Sequence, residues 1–315
     1  MRGSFQPETY SFCTSSISLR LLSRGGQQFG FERLDLGKKQ EKTIRNLLAQ
    51  PNGIILLTGP TGCGKSTSLY CFLSTINSVQ RRIITIEEPV EYKLAGVLQM
   101  DVKPEINFTF ARGLRHILRQ DPNVVMVGEI RDVETADIAI RAAMTGHLVF
   151  STLHTNDAVG GITRLLDMDV EPFLLASVVK SFIAQRLVRT ICPECAQLVE
   201  YPSDYLAEIG FPVRELGTTF SRGKGCEACR QTGYQGRAAI YEICVVTEAL
   251  RKMIMKKRDG SERKQCAISE GMMTLRQDGW RRVAQGKTTI EEVVRVTQTD
   301  EVMAETAEET EPVTR

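Results

Sequence analysis

Residues 59–67 read Gly59-Pro60-Thr61-Gly62-Cys63-Gly64-Lys65-Ser66-Thr67, which matches the phosphate-binding pattern G-x-x-x-x-G-K-[ST]. The run Ile54-Ile55-Leu56-Leu57 before them is apolar, as a buried strand should be, and residues 66–76 after them have the apolar spacing of a helix. Glycines between a strand and a helix let backbone N–H groups converge on an anion at the helix N-terminus, where the dipole favours negative charge. The sequence therefore predicts a nucleoside triphosphate site.

Within this loop the residue types indicate individual roles. The ammonium group of Lys65 can neutralise the β- and γ-phosphate oxygens, and the Ser66 hydroxyl can hold Mg²⁺. Cys63 stands just before the helix and close to Lys65, so we expect its thiol to have a lowered pKa and to be reactive. The predicted nucleotide-binding residues are Gly59, Thr61, Gly62, Cys63, Gly64, Lys65, Ser66 and Thr67.

The charge balance limits the class of partner. The chain has 315 residues, enough for about two domains. Its 40 basic residues oppose 38 acidic ones, for a formal net charge of +2. The basic residues are interspersed with acids, and the short run Lys256-Lys257-Arg258 is typical of a solvated helix face. Since nucleic-acid-binding domains usually carry clustered basic residues, no direct contact with nucleic acid is predicted.

The apolar segments indicate a cytoplasmic chain. No apolar signal region follows Met1-Arg2, and the most apolar later stretch, residues 173–184, is too short to span a bilayer and carries Lys180. The chain has nine cysteines, an odd number. In a reducing cytosol we expect paired cysteines to hold a metal rather than to form disulfides.

Strands and helices alternate along the first half of the chain. Strands are predicted at 83–86, 97–102, 124–127 and 147–152, with helices at 109–120 and from Asp132 to about residue 144. This alternation predicts an α/β fold with a mainly parallel sheet covered on both faces. Ligands of such sheets sit at the carboxyl ends of the strands. The loops at those ends carry Lys65, Glu87, Glu129 and His154.

These side chains suit hydrolysis of the β–γ phosphate bond, which needs charge neutralisation, a metal and a carboxylate that positions water. Glu129 ends a hydrophobic strand and can order Mg²⁺ or its waters. Glu87 and Glu88 end a different strand and are the candidates for activating water. His154 can sense the γ-phosphate. The alternative is that the acids are surface carboxylates and His154 is a structural residue.

The predicted helix at 109–120 carries Arg112, Arg115 and Arg119 on one side. One reading is an ordinary solvated surface. The other is delivery of arginines to the charge that develops in the transition state, an effect worth up to ~10³–10⁵ in rate.

Two Cys-x-x-Cys pairs, separated by 30 residues, match a structural zinc site. The predicted ligands are Cys192, Cys195, Cys226 and Cys229, and all four coordination positions are filled by thiolates. The alternative is a pair of turns with free thiols.

The chain resembles the secretion ATPases of type II secretion and type IV pilus assembly over most of its length. The motifs that carry the resemblance are residues 59–67, the acidic box Ile86-Glu87-Glu88-Pro89-Val90-Glu91-Tyr92, Phe110-Ala111-Arg112-Gly113-Leu114-Arg115, residues 124–132, residues 145–156, Ala184-Gln185-Arg186-Leu187-Val188-Arg189 and the four cysteines. The resemblance implies a RecA-like motor domain, ATP with Mg²⁺, a ring of six subunits, and docking on inner-membrane platform proteins, hence a location at the cytoplasmic side of that membrane.

The resemblance also implies residue roles. Lys65 and Ser66 look like the phosphate and metal residues. Glu87 looks like the carboxylate of the acidic box that activates water, Glu129 like the Walker B acid, and His154 like the histidine-box residue. Arg20, Arg112 and Arg115 match arginines that face the nucleotide in such rings. The acidic box usually has Asp where this chain has Glu88.

The expected domain organisation has five parts. Residues 1–36 are a remnant of an N-terminal domain with its linker, 37–190 the RecA-like core, 191–236 the zinc lobe, 237–299 a helical segment and 300–315 an acidic disordered tail. Because members of the resembled family carry a far longer N-terminal region, we expect micromolar-range nucleotide binding, weak hydrolysis and a largely monomeric chain.

Two further functions stay open at the level of sequence. A nucleic-acid translocase with a zinc module is the enzymatic alternative, which the balanced charge disfavours. A nucleotide-binding assembly subunit that binds ATP without productive turnover is the other, and the short N-terminal region favours it.

Overall fold

The computed structural model describes residues 29–297, and a seven-stranded sheet lies at its centre. The strands in this part of the chain are β1 (Gly53–Thr58), β2 (Ile83–Glu87), β3 (Val97–Asp101), β4 (Val124–Val127), β5 (Leu148–Leu153), β6 (Val179–Ile191), β7 (Ala196–Val199), β8 (Phe220–Gly223) and β9 (Tyr234–Val245). The central sheet has the order β3-β2-β4-β5-β1-β6-β9, and β7 pairs with β8 in a separate hairpin. Every pairing in the central sheet is parallel except that of β6 with β9.

Helices cover both faces of the sheet. They are α1 (Lys38–Leu48), α2 (Lys65–Ile76), α3 (Phe110–Leu118), α4 (Val133–Met144), α5 (Gly160–Asp167), α6 (Pro172–Val178), α7 (Ser203–Glu208), α8 (Val213–Leu216), α9 (Glu248–Met255), α10 (Gly260–Ser269), α11 (Leu275–Ala284) and α12 (Ile290–Thr297). Short 3₁₀ helices occur at Phe31–Leu34 and Pro104–Ile106. None of the helices in residues 29–297 combines the length and apolarity needed to cross a bilayer.

Strand β1 shows how the two faces are separated. Side chains alternate between the faces of a strand, so Ile54 and Leu56 belong to one apolar cluster, with α3 and α4. Ile55 and Leu57 belong to the other cluster, with α1 and α2. All six residues of β1 are buried, which explains why the strand reads as a continuous apolar run. Because its neighbours β5 and β6 run parallel to it, their carboxyl ends meet the phosphate loop at one edge of the sheet.

The structure confirms the predicted parallel sheet, its strands and its helices to within a few residues. Two long strands were missed. The segment before the first cysteine pair, for which no strand was predicted, ends in β6, which begins inside the apolar stretch at 173–184. The helical segment expected from residue 237 begins with a strand, since residues 237–245 belong to β9. Arg20 and the predicted acidic tail at 300–315 lie outside the described residues.

The reason for the omission is that β6 and β9 pair across more than forty intervening residues and carry polar side chains into buried positions. Gln185, Arg186 and Glu242 are all buried although they interrupt the apolar pattern. Strand β9 pairs with β6 and forms the edge of the sheet. The chain between these two strands forms the β7–β8 hairpin. Phe211 anchors this lobe to Trp280 of α11, with ring centroids 5.4 Å apart.

Candidate nucleotide site and cysteine cluster

The predicted phosphate loop joins β1 to α2 and leaves the start of that helix open. Gly64 precedes the helix with φ of +93°, a left-handed conformation that favours glycine. No side chain caps the helix N-terminus, so its first N–H groups are available to an anion. Thr61 and Gly62 are exposed in the loop, whereas Ser66 and Thr67 lie half-buried in the first turn of the helix.

Lys65 reaches back over the loop. Its Nζ donates to the carbonyl oxygens of Gly59, at 2.5 Å, and Pro60, at 3.2 Å. Burial lowers the pKa of Lys65, and the nearby Glu129 carboxylate acts in the opposite direction. A cation with incomplete hydration, next to an open helix N-terminus, is suited to binding phosphate oxygens.

Cys63 is buried, which opposes the reactivity predicted for its thiol. Its side chain is 4% exposed, and a Cβ atom built on Gly59 would lie 2.6 Å from its Sγ, so the thiol points into the folded loop. Burial raises the pKa of Cys63 above its ordinary value, although Lys65 and Arg186 lower it. The prediction of a lowered pKa was therefore wrong, because desolvation disfavours the thiolate more than the nearby cations favour it.

Glu129 and His154 meet at the carboxyl ends of β4 and β5. The Nε2 atom of His154 lies 3.2 Å from Oε2 of Glu129. The other oxygen of Glu129 binds Arg131, whose second nitrogen lies 3.1 Å from Oε2 of Glu88. The structure thus brings Lys65, Glu129 and His154 to one edge of the sheet, and it adds Glu88 through an arginine that the sequence reading did not single out.

Glu87 lies in a different environment from Glu88. Its side chain is 5% exposed and accepts hydrogen bonds from the Tyr70 hydroxyl, from Thr85 Oγ1 at 2.5 Å and from Gln99 Nε2 at 3.1 Å. Burial and the bond to Glu87 raise the pKa of Tyr70. In this structure Glu87 is bound into the core, so its expected role in activating water stays a prediction.

The arginines of α3 lie on its exposed face, while the opposite face is buried. Arg112 donates to the Asn107 carbonyl at 3.3 Å, and Arg115 forms an ion pair with Glu134 of α4 at 2.6 Å. Their partners thus lie in the segment before α3 and in α4 rather than at the phosphate loop. Arg20 lies outside the described residues.

A cavity of about 650 Å³ lies beside Gly64 and Thr67. Its other walls come from the segment before α1, through Leu34 and Asp35, and from β6 and β9, through residues such as Leu187 and Tyr241. Its volume lies in the range of small-molecule sites, roughly 300–1,000 Å³. Sequence reasoning missed this cavity because much of its lining comes from β6 and β9, the two strands that were not predicted.

The four predicted cysteines form a compact cluster. Their sulfur atoms all lie within 4.8 Å of one another, with close pairs at 3.6, 3.8 and 3.9 Å. A tetrahedral zinc site with Zn–S bonds of about 2.3 Å has sulfur atoms about 3.8 Å apart, so the cluster fits such an ion. Burial raises the pKa of Cys229, but N–H groups of Cys226 and Gly233 donate to its sulfur and lower it to about 6.

Two glycines make this cluster possible. A Cβ atom on Gly223 would lie 2.1 Å from the carbonyl oxygen of Gly233, so neither position has room for a side chain. Gly233 also has a positive φ and accepts a hydrogen bond from the Cys192 N–H at 3.0 Å. The close approach of these two backbones brings the first cysteine pair to the second.

The open helix, the phosphate loop and the acids at the neighbouring strand ends define a P-loop nucleotide-binding protein with a mainly parallel α/β sheet. The chain belongs to the type II/IV secretion system protein family, whose model matches residues 1–295.

Its relatives include the type II secretion system protein E of Dickeya dadantii, which is 46% identical over 299 residues, 94% of this chain and 58% of that protein. The type II secretion system ATPase E of Vibrio cholerae is 46% identical over 281 residues, 89% of this chain and 56% of that protein. The chain therefore spans less than two thirds of the length of these relatives.

Solved structures share the fold. The pilus retraction motor PilT with bound ADP superposes with a TM-score of 0.65 at 31% identity, covering 88% of this chain and 68% of that one. The ATPase DotB of Legionella pneumophila superposes with a TM-score of 0.63 at 22% identity, covering 86% of this chain and 65% of that one. The likeness to DotB concerns the fold alone.

Proposed function

We propose that this chain is the ATP-hydrolysing motor of a type II secretion or type IV pilus assembly system. The observation that carries the proposal is the meeting of Lys65, the open start of α2, Glu129 and His154 at one edge of the sheet. The family supports it, as do the names of relatives that are secretion ATPases and pilus motors.

Each side chain at this edge has a proposed part in hydrolysis. The loop N–H groups and Lys65 bind the phosphates, while His154 hydrogen-bonds to the γ-phosphate or to the water next to it. Ser66 and Glu129 would hold Mg²⁺, which neutralises phosphate charge when bound. Glu88 is the carboxylate of the acidic box that faces this edge, because it shares Arg131 with Glu129. We therefore assign water activation to Glu88 in the arrangement seen here.

The nucleoside has a place next to the phosphates. The cavity beside Gly64 and Thr67 continues from the start of α2 toward the segment before α1. Its volume suits a base with its ribose. We propose that ATP lies with its phosphates on residues 59–67 and its adenosine in this cavity.

The proposed assembly is a homo-oligomeric ring, six-membered as the family resemblance implies. In it Arg112 and Arg115 face the nucleotide of a neighbouring subunit, since within one chain both lie exposed on α3. The proposed partners are inner-membrane platform proteins, with the chain at the cytoplasmic side of that membrane. No nucleic-acid partner is proposed, because the charge is balanced.

We further propose that the cysteine cluster holds one structural zinc ion. The donor set supports this, because four sulfur atoms at tetrahedral spacing fill every ligand position and leave none for a reacting water.

Phosphate release by two variants tests the motor. Lys65→Ala should weaken ATP binding, since it removes the charge opposite the phosphates. Glu129→Gln should leave binding within about threefold but block hydrolysis, because only the metal and its waters are affected. Asp137→Asn, an exposed acid of α4 paired with Arg141, is the matched control and should behave as wild type. Phosphate release at the wild-type rate in both site variants would refute the enzymatic proposal.

Binding without turnover is the second candidate, and one observation favours it. Glu87, which the family resemblance assigns to water activation, is hydrogen-bonded into the core by Tyr70, Thr85 and Gln99, so turnover depends on whether Glu88 takes that role. ATP binding with no phosphate release at any chain concentration would support this candidate over the motor.

A further inference from the structure

The loop that carries His154 is held by charged side chains from three separate elements. It follows β5, runs from His154 to Gly160, and leads into α5. Three successive residues of the loop each receive one such contact. Arg186 of β6 donates to the Asn156 carbonyl at 2.5 Å, Lys264 of α10 to Asp157 Oδ2 at 3.0 Å, and Glu242 of β9 accepts from the Ala158 N–H at 2.8 Å. We call Arg186, Glu242 and Lys264 the loop clamp.

Two of the three residues of the loop clamp are buried. Glu242 is 1% exposed and Arg186 is 7% exposed, while the side chain of Lys264 keeps 30% of its surface. Together with Asp157 the clamp contains two positive and two negative groups, so its charges balance. Removing one member of a buried, balanced set leaves an uncompensated charge, which is costly. The loop therefore has one strongly preferred position as long as the three elements keep theirs.

The clamped loop meets the nucleotide site at two points. The Asp157 carbonyl accepts a hydrogen bond from Thr58 Oγ1 at 3.2 Å, and Thr58 directly precedes the phosphate loop. At the start of the clamped loop, His154 lies 3.2 Å from Glu129. A displacement of the loop would move His154 relative to Glu129 and to Thr58.

The loop clamp also contacts the C-terminal helices. Lys264 lies in the middle of α10, and Oε2 of Glu242 accepts the N–H of Leu275, the first residue of α11, at 3.3 Å. Arg263, next to Lys264, donates to Thr163 of α5 at 2.8 Å. Helices α10 and α11 are thus tied by polar contacts to the loop and to the helix that follows it.

We propose that Lys264 and Glu242 are positioning residues through which α10 and α11 set the place of the His154 loop, so that nucleotide binding and the position of these helices are coupled. The inference rests on the proposed function only in taking ATP as the ligand. Such coupling is reciprocal: if nucleotide orders the loop, it must also order α10, and a change at α10 must alter the loop. Neither residue touches the reacting atoms.

Hydrogen exchange of the full chain tests the coupling, first without nucleotide and then with a non-hydrolysable ATP analogue and Mg²⁺. Lys264→Met removes the ammonium group but keeps an unbranched side chain. Without nucleotide, amides of residues 154–160 should exchange about fivefold faster in this variant than in wild type. With the analogue, wild type should gain protection in 59–67, 154–160 and 260–269. Lys264→Met should keep the protection gained in residues 59–67, with an affinity for the analogue within about twofold of wild type. It should lose the protection gained in residues 260–269.

Two variants control for a merely structural effect. Lys264→Arg retains the charge and should restore wild-type exchange. Glu262 lies on the same helix as Lys264, and Glu262→Gln breaks its exposed ion pair with Arg258, at 3.8 Å, just before that helix; this variant should change neither the loop nor the coupling. Adding Asp157→Asn to Lys264→Met should produce no further loss, since the two residues form one interaction.

Unchanged loop exchange in nucleotide-free Lys264→Met would overturn the proposal, and so would equal protection of residues 260–269 in wild type and variant. If the analogue protects no residue of wild type, the proposed function fails. The nucleotide-free comparison then still decides whether the loop clamp operates.

Discussion

Glu87 and Glu88 are neighbours in the chain, but their carboxylates face different surroundings. Glu87 receives three hydrogen bonds in the core, and Glu88 forms an ion pair with Arg131 beside Glu129. A carboxylate that positions water must be able to reach it. In the arrangement seen here Glu88 meets that condition, whereas Glu87 holds the end of β2 to α2 and β3.

We therefore expect the same substitution to have different effects at Glu87 and at Glu88. Glu87→Gln turns one acceptor into a donor opposite Tyr70 or Thr85, and we expect the free energy of unfolding to fall by about 1–3 kcal/mol. Glu88→Gln should leave stability unchanged and reduce hydrolysis by at least about 10²-fold, the usual contribution of a general base. Glu88→Asp, which keeps the carboxylate, is the control. Lost hydrolysis with unchanged stability in Glu87→Gln would return the water-activating role to Glu87.

In the cysteine lobe, residues 192–233, the proposed zinc ion would take the place of a large hydrophobic core. Residues 192–233 have few large buried side chains besides Leu206, Phe211 and Phe220, and the cysteine cluster lies at the point where the hairpin leaves the sheet. Structural zinc contributes roughly 10–16 kcal/mol in small peptides, far more than so few apolar contacts can supply.

We expect one zinc ion per chain, measured by elemental analysis of protein washed with a mild chelator. Cys229→Ser should abolish zinc binding and lower the Tm, because three thiolates and a hydroxyl bind the ion poorly. Cys266→Ser, outside the cluster, is the matched control and should retain the zinc. Chelator-washed wild type with no zinc and an unchanged Tm would show that the four thiols hold the lobe without a metal.

Helix α12 is attached to the sheet by a buried carboxylate. Glu292 is 1% exposed and accepts hydrogen bonds from the Arg189 backbone N–H at 3.0 Å, from Arg189 Nη2 at 2.8 Å and from Arg295 Nη2 at 2.7 Å. Burial alone would raise the pKa of Glu292, but these donors lower it to about 2. The carboxylate is thus stabilised in its charged form by the fold.

This pKa predicts a pH dependence of stability. The folded pKa lies below the unfolded value of about 4.3, so the stabilisation is complete above that value and is lost as the pH falls toward 2. We expect Glu292→Gln to lower the free energy of unfolding by about 3 kcal/mol at pH 7 and by about half as much at pH 3. Urea unfolding at the two pH values measures it, with Glu262→Gln as an exposed control. A difference that does not depend on pH would contradict the assignment.

Some strands of the sheet could be predicted from the sequence and others could not, for physical reasons. The phosphate loop, β1, β2, β4 and β5 were predictable because each strand is a short buried apolar run followed by a polar loop. Strands β6 and β9 were not, since their buried Gln185, Arg186 and Glu242 bind groups that are distant in the chain, the Ser68 hydroxyl, the Asn156 carbonyl and the Ala158 N–H, which no local pattern reveals. The inward turn of Glu87 and the raised pKa of Cys63 likewise depend on packing, whereas the sequence showed only which residues stand near the phosphates.

At the scale of the whole molecule, one chain holds an incomplete set of the residues predicted for catalysis. Lys65, Glu129 and His154 are together, but Arg112 and Arg115 lie exposed on α3. Exposed ion pairs and hydrogen bonds contribute little to stability, so a neighbouring subunit could take over both arginines at little cost. If a neighbour supplies them, hydrolysis requires assembly, and the rate per chain should rise with chain concentration.

Mixing two inactive variants tests this arrangement at a concentration where wild type is active. Chains with Glu129→Gln lack a working site but keep both arginines, and chains with Arg112→Ala and Arg115→Ala keep the site but lack the arginines. In a randomly mixed ring about a quarter of the sites combine an intact pocket with an intact neighbour, so we expect about that share of wild-type phosphate release. Arg119→Ala, the third exposed arginine near the end of α3, is the control and should remain active alone. A mixture that assembles but stays inactive would place the arginines in the same chain as the nucleotide they face, or outside the reaction.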